Sequence, residues 1–152
     1  MKIPEGATAR KFDDSATHKH IHVMKGVDFV VDTPDRLLFI EIKDADNPNA
    51  EENRRDEFIR SLRSGEIDES LKYKYRDSFV YEWAAGRIEK PVYYYVLIAW
   101  EDATEGQLLT RSDQLRSKIP MLGECFIAGC EILKITAWNQ HLGRDYRVTR
   151  IR

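Results

Sequence analysis

Gly26-Val27-Asp28-Phe29-Val30-Val31-Asp32-Thr33-Pro34-Asp35-Arg36-Leu37-Leu38-Phe39-Ile40-Glu41-Ile42-Lys43 holds two apolar runs on either side of a turn. Proline pre-sets the backbone angle of the first corner position and aspartate tolerates the second, so Thr33-Pro34-Asp35-Arg36 reads as a tight reversal. A turn symmetric about Pro34-Asp35 pairs the flanking runs antiparallel and sets Asp28 opposite Glu41. The two-residue period of a strand then places Lys43 on the Glu41 face. Like charges so opposed are unfavourable unless a cation, a shared proton or an ammonium group lies between them. The hairpin therefore reads as a holder for a divalent metal. A solvated Glu41–Lys43 pair on an edge strand is the competing reading. Against it, Leu38, Ile40 and Ile42 already supply a buried face, and Phe39 and Val30 make the charged face partly apolar as well.

This arrangement resembles the PD-(D/E)XK nuclease superfamily, in which an aspartate on one strand and a Glu-x-Lys on the next form the metal site. Asp28 and Glu41-Ile42-Lys43 are the matching residues. Val27 stands in place of the proline of the signature, a departure that leaves the carboxylate intact. The close match covers about an eighth of the chain. The resemblance implies a mixed α/β fold with a restriction-endonuclease-like core, a central mixed β-sheet flanked by helices, in a single domain over residues 1–152. It implies metal-dependent hydrolysis of nucleic acid, DNA more than RNA and internal cleavage more than cleavage from an end. It implies catalytic roles for Asp28, Glu41 and Lys43. Mg²⁺ or Mn²⁺ would sit between Asp28 and Glu41, with the backbone carbonyl of Ile42 as a further ligand, and Lys43 would orient the nucleophile or stabilise developing charge. A different class stays open: a binding or assembly module with a nuclease-like fold that cleaves nothing, since fold does not imply function.

A chain of 152 residues can bury a real core without disulfides or metals to staple it. The longest apolar stretch, Val92 to Trp100, is far too short to cross a bilayer as a helix, and no N-terminal run resembles a signal peptide. Cys125 and Cys130 are too few and too oddly spaced for a zinc site or a disulfide framework. A reducing, cytoplasmic location is the default expectation. The net charge of −2 argues against strong intrinsic affinity for phosphates, but its distribution is uneven. Glu41 to Ser70 carries ten acidic and five basic residues, whereas Lys134 to Arg152 carries five basic residues against Asp145 alone. That asymmetry fits either a basic binding surface or a charged sheet edge. Either way, weak DNA affinity or help from a homodimer or protein partner follows. No helix-turn-helix, zinc finger or RNA-binding signature is present.

Elsewhere, Glu5 to Asp14 reads as a short helix and Thr17 to Met24 as a strand carrying His18, His20 and His22 at alternate positions. Those histidines fit either a polar strand or a second metal site. A polar helix is expected from Asp46-Asn47-Pro48 through Arg63, stopped by Gly65, with Phe58, Ile59 and Leu62 as its apolar stripe. A second helix from Asp68 to Ala85 carries Leu71, Tyr75, Phe79 and Trp83 at intervals of four, ended by Gly86. Tyr73, Lys74, Asp77 and Tyr81 lie off that stripe and read as solvent-facing, although Lys74, Arg76 and Asp77 could reach the site. Glu5 is a weak further ligand candidate. The run opened by Pro91, Val92 to Trp100, reads as a strand covered on both faces. A helix from Gln107 to Lys118, ended by Pro120, and closing strands at Glu131 to Trp138 and Tyr146 to Ile151 complete the reading.

Overall fold

Thr33-Pro34-Asp35-Arg36 turns the chain through a two-residue loop: the Thr33 amide donates to the Arg36 carbonyl at 3.0 Å, and the Thr33 hydroxyl accepts from the Arg36 amide at 3.1 Å. The arms of this turn are strands β2 (Phe29–Asp32) and β3 (Leu37–Lys43). Their register, Asp32 with Leu37 through Phe29 with Ile40, is the one that symmetry about Pro34-Asp35 requires. The computed structural model describes residues 3–12, 24–49, 51–120, 127–143 and 146–149.

The hairpin sits within a five-stranded mixed sheet of order β1-β2-β3-β4-β5. Strand β1 (Thr8–Lys11) lies antiparallel to β2, while β4 (Val92–Ile98) and β5 (Gly129–Lys134) run parallel to β3 and to each other. Parallel neighbours need crossovers. The first is made by helices α1 (Glu52–Ser64) and α2 (Ile67–Ala84), the second by α3 (Glu105–Lys118). Both steps move in the same direction along the sheet, and crossovers of one hand then lay all three helices on one face. Val30, Phe39, Tyr94 and Val96 pack there against Leu62, Leu71, Tyr75 and Leu115. Helix α4 (Ile135–His141) covers the other face, where Trp138 meets Val31, Leu38, Ile40 and Leu97. The Leu38 face is therefore buried as expected, but the charged face is covered more deeply than a half-apolar strand face suggests.

Several expectations are corrected. Thr8–Lys11 is a strand rather than part of a helix over Glu5 to Asp14, because pairing with β2 satisfies a backbone that has little apolar periodicity to hold it helical. Glu5 lies exposed in the segment before it. Asp46 to Asn49 is a turn, and α1 starts at Glu52. Asp46 Oδ2 accepts from the Glu101 amide at 2.9 Å and Asn47 Oδ1 from the Asn49 amide at 3.0 Å, which holds this loop against the end of β4. Gly65 ends α1 with φ 85°, as expected. Helix α3 begins two residues before Gln107, through a reciprocal capping box between Thr104 and Gln107. Strand β5 stops at Lys134, and Ile135 to Trp138 is helical. Tyr146 to Thr149 is not a strand. Val148 instead pairs through both backbone groups with the Asn139 side chain, at 2.8 and 3.0 Å, so an amide takes the place of a neighbouring strand. Residues 13–23 and 121–126, which carry His18, His20, His22 and Cys125, lie outside the described residues, as does most of the strand expected over Thr17 to Met24. Cys130 is buried in β5. No described helix is long and apolar enough to cross a membrane.

Candidate active site

The backbone ladder between β2 and β3 ends at Phe29 and Ile40, one pair short of Asp28 and Glu41. Asp28 faces two ways there. Its carbonyl accepts from the Phe12 amide at 2.9 Å, extending the β1 pairing. Its side-chain Oδ2 accepts from the Ile42 amide at 2.7 Å, in the position where a β2 carbonyl would otherwise stand. The chain N-terminal to Asp28 leaves β3 for helix α2. The Lys25 amide donates to Asp77 Oδ2 at 2.9 Å, the Val27 amide to Ser78 Oγ at 2.9 Å, and Lys74 Nζ to the Gly26 carbonyl at 3.0 Å. This departure opens a notch at the end of β3. The Lys43 carbonyl accepts from Ala99 beside β4, so strand alternation turns the Ile42 carbonyl to the opposite, notched edge.

Side chains on the α2 side of the sheet fill the notch. Val30 and Phe39 both pack on that side, and the two-residue period puts Asp28 and Glu41 there with them. Glu41 is fully buried. Its Oε1 lies 2.7 Å from Lys43 Nζ and 2.9 Å from Lys74 Nζ, and Lys74 Nζ is also 4.0 Å from Asp28 Oδ1. Glu41 Oε2 has no hydrogen-bond partner among the described residues. Both lysine contacts are close ion pairs to Oε1, so the charge of this buried carboxylate is balanced at one oxygen and not at the other. Burial pushes the Glu41 carboxyl above the usual range, and the Asp28 charge acts in the same direction. Lys43 and Lys74 pull against both. Beneath Glu41, the buried Tyr94 hydroxyl donates to the Leu71 carbonyl at 3.1 Å, and its pKa is raised by burial first and by Glu41 and Asp28 after it.

The fold thus brings Asp28, Glu41, Lys43 and the Ile42 backbone together, and adds Lys74. Asp28 and Lys43 border solvent, their side chains 27% and 28% exposed, and form the entrance to a site whose floor is Glu41. A cleft of about 330 Å³ bordered by Asp46, Trp100, Lys134 and Thr136 lies at the C-terminal ends of β4 and β5, the same end of the sheet as Lys43, but is lined by none of these residues. Comparison with family models finds no match to this chain, and comparison with curated proteins and with solved structures finds none either. The resemblance stated above therefore stands on the hairpin residues alone.

Of the two readings of Lys74, solvent-facing or reaching the site, the fold adopts the second, and the reason is geometric. An interval of four overshoots the helical turn by about 40° at each step, so a stripe from Leu71 through Trp83 winds about 120° around the helix. Trp83 is accordingly 67% exposed, and the buried line passes instead through Ile67, Leu71, Ser78 and Glu82. Lys74 lies three residues after Leu71 and four before Ser78, on that same face. That mixed spacing of three and four was readable in the sequence.

Proposed function

We propose that this protein is a metal-dependent nuclease of restriction-endonuclease-like core, hydrolysing phosphodiester bonds of nucleic acid, with DNA the favoured substrate. The observation that carries the reading is Glu41 Oε2: a carboxylate oxygen buried without a partner among the described residues, beside Asp28 and the notch-facing Ile42 carbonyl. An unsatisfied buried acceptor costs about 1–3 kcal/mol, more when charged, so its retention at a cluster of oxygens suits a cation-binding role. No third His, Cys, Asp or Glu completes a ligand group among the described residues. Magnesium is commonly held by one or two carboxylates, with water and substrate phosphate oxygens supplying the rest, so the pair is a sufficient protein contribution. The antiparallel hairpin leading into the parallel β3-β4-β5 array supports the proposed core.

Asp28, Glu41 and the Ile42 carbonyl would hold Mg²⁺ or Mn²⁺. When bound, the ion supplies Lewis-acid polarisation of a phosphoryl oxygen. Asp28 is pre-set for this by the Ile42 amide, which fixes Oδ2. Lys43, at the rim, orients the attacking water and offsets the negative charge that grows on the phosphate. Its cation is not needed to hold the metal.

One observation favours a second reading. Two ammonium groups, from Lys43 and Lys74, already balance the two carboxylates, so the site is neutral without metal, as suits a binding or assembly module. Incubation with Mg²⁺ or Mn²⁺ and single-stranded, duplex or branched DNA, or RNA, separates the two. The nuclease reading expects cleavage that Asp28→Asn, Glu41→Gln and Lys43→Ala each abolish or nearly so. It expects Mn²⁺-induced thermal stabilisation to survive only in Lys43→Ala. A wild-type protein that cleaves none of these substrates would favour the module, and an unimpaired Lys43→Ala would remove the role given to that lysine.

A further inference from the structure

We propose that Lys74 is a built-in counter-ion of this site, a positioning residue that holds Asp28 and Glu41 together until a divalent cation displaces its ammonium group. The inference rests on the metal-dependent reading above and deepens it into a form of regulation: the site competes with itself for its cation.

Lys74 makes three contacts among the described residues. Nζ lies 2.9 Å from Glu41 Oε1, 4.0 Å from Asp28 Oδ1 and 3.0 Å from the Gly26 carbonyl. Its side chain is only 15% exposed, so the ammonium sits inside the notch. Neutralising Glu41 does not by itself require it, because Lys43 reaches the same Oε1 at 2.7 Å from its own strand. What Lys74 alone does is bridge. It stands near both carboxylates and bonds the backbone just before Asp28, reproducing with one charge the contacts that a cation shared by Asp28 and Glu41 would make.

A divalent ion and this ammonium cannot both lie against the same carboxylate oxygens, since their like charges would meet at contact distance in a poorly solvated space. Binding must therefore move one of them. Four flexible methylenes let the lysine withdraw with little backbone change. The rest of α2 keeps its hold on the departing segment through Asp77 on the Lys25 amide and Ser78 on the Val27 amide. The Gly26 carbonyl then loses its Lys74 donor. A lysine serving only as structural glue would leave metal affinity unchanged or lower it when removed, because the site would lose its shape. A counter-ion does the opposite.

The test is Mn²⁺ binding by the full chain, read by electron paramagnetic resonance of free Mn²⁺, with no substrate present. Lys74→Met, neutral and of similar length, is expected to bind Mn²⁺ at least tenfold more tightly than wild type while melting at a lower temperature without metal. Lys74→Arg, which keeps the charge, is expected to stay within threefold of wild type. Affinity in Lys74→Met equal to or weaker than wild type overturns the proposal. Asp28→Asn and Glu41→Gln provide the separating control: if they bind like wild type, the ion is held elsewhere and the metal-dependent reading fails first. If they lose binding and Lys74→Met gains none, only the counter-ion role fails. A measurement on unmutated protein guards against misfolding of the methionine variant. The side-chain ammonium resonance of Lys74, assigned by its absence in Lys74→Arg, should be lost or shifted at saturating Mg²⁺; an unchanged resonance overturns the proposal.

Discussion

Ser78→Ala should destabilise the protein by about 1–2 kcal/mol through a hydrogen bond that also shapes the site. Ser78 and Val27 are both fully buried, and Ser78 Oγ accepts from the Val27 amide at 2.9 Å. The substitution creates almost no cavity, but it leaves a backbone N–H without an acceptor where water cannot replace it. An orphaned buried donor costs about 1–3 kcal/mol. Alanine recovers roughly 0.5 kcal/mol through its better helix propensity, which leaves about 0.5–2.5 kcal/mol, with about 1–2 kcal/mol at its centre. For a chain of this size that is a fall of roughly 2–8 °C in the melting midpoint. Guanidinium denaturation followed by circular dichroism measures it directly. Ser64→Ala at the exposed end of α1 is the reference and should change stability by less than about 0.5 kcal/mol. Amide exchange at Val27 should accelerate in Ser78→Ala while exchange in β4 follows global stability alone. A Ser78→Ala variant within about 0.5 kcal/mol of wild type, with Val27 exchange unaltered, would refute the view that α2 pins the departing strand through this bond.

Other substitutions test the remaining structural arguments. Glu82 is fully buried and receives Arg10 and Arg87, each at 2.7 Å. Burial raises its carboxyl pKa, yet the arginine hydrogen bonds and charges outweigh it and hold the group below its usual 4.5. A depressed folded pKa contributes stability above the unfolded value and loses it as pH falls through the folded one. The gap between wild type and Glu82→Gln in denaturant melts should therefore be about 2 kcal/mol or more at pH 7 and shrink below pH 4.5, whereas parallel pH profiles would contradict the assignment. Gly65→Ala meets two obstacles: φ of 85°, and a new Cβ only 1.9 Å from Arg111 Nη1, whose guanidinium pairs with buried Asp68. A loss of about 2 kcal/mol or more is expected, and less than additive loss with Asp68→Asn would show that both act through Arg111. Trp138→Phe removes the 2.7 Å bond from Nε1 to the Tyr146 carbonyl. It should cost about 1–2 kcal/mol and speed cleavage after Arg147 in a limited trypsin digest.

The extended reading of Glu131 to Trp138 went wrong at Lys134 for a reason that no local pattern carries. Ile135, Thr136 and Trp138 are strand-forming residue types, and they become helical because α4 delivers Trp138 onto the sheet face built by Val31, Leu38 and Leu97. Thr8–Lys11 erred in the other direction, since a short polar segment is a strand only by virtue of the β2 edge beside it. The helices α1 to α3 were legible because their stripes, stops and turn residues act within a few positions of one another. The Thr104 and Gln107 capping box, local in the same way, was there to be read as well.

The sequence by itself determined the hairpin. A proline-aspartate corner and a two-residue side-chain period are local, so they set the register and with it the convergence of Asp28, Glu41 and Lys43 on one face. Only tertiary structure decided how deep that face lies and what else reaches it. The first parallel crossover roofed Glu41 with α2, and the segment before Asp28 left β3 for Lys74, Asp77 and Ser78, separated from it by about fifty residues. Contacts of that kind depend on the sum of the helical rotation and the packing of a whole layer, which no stretch of the chain encodes alone.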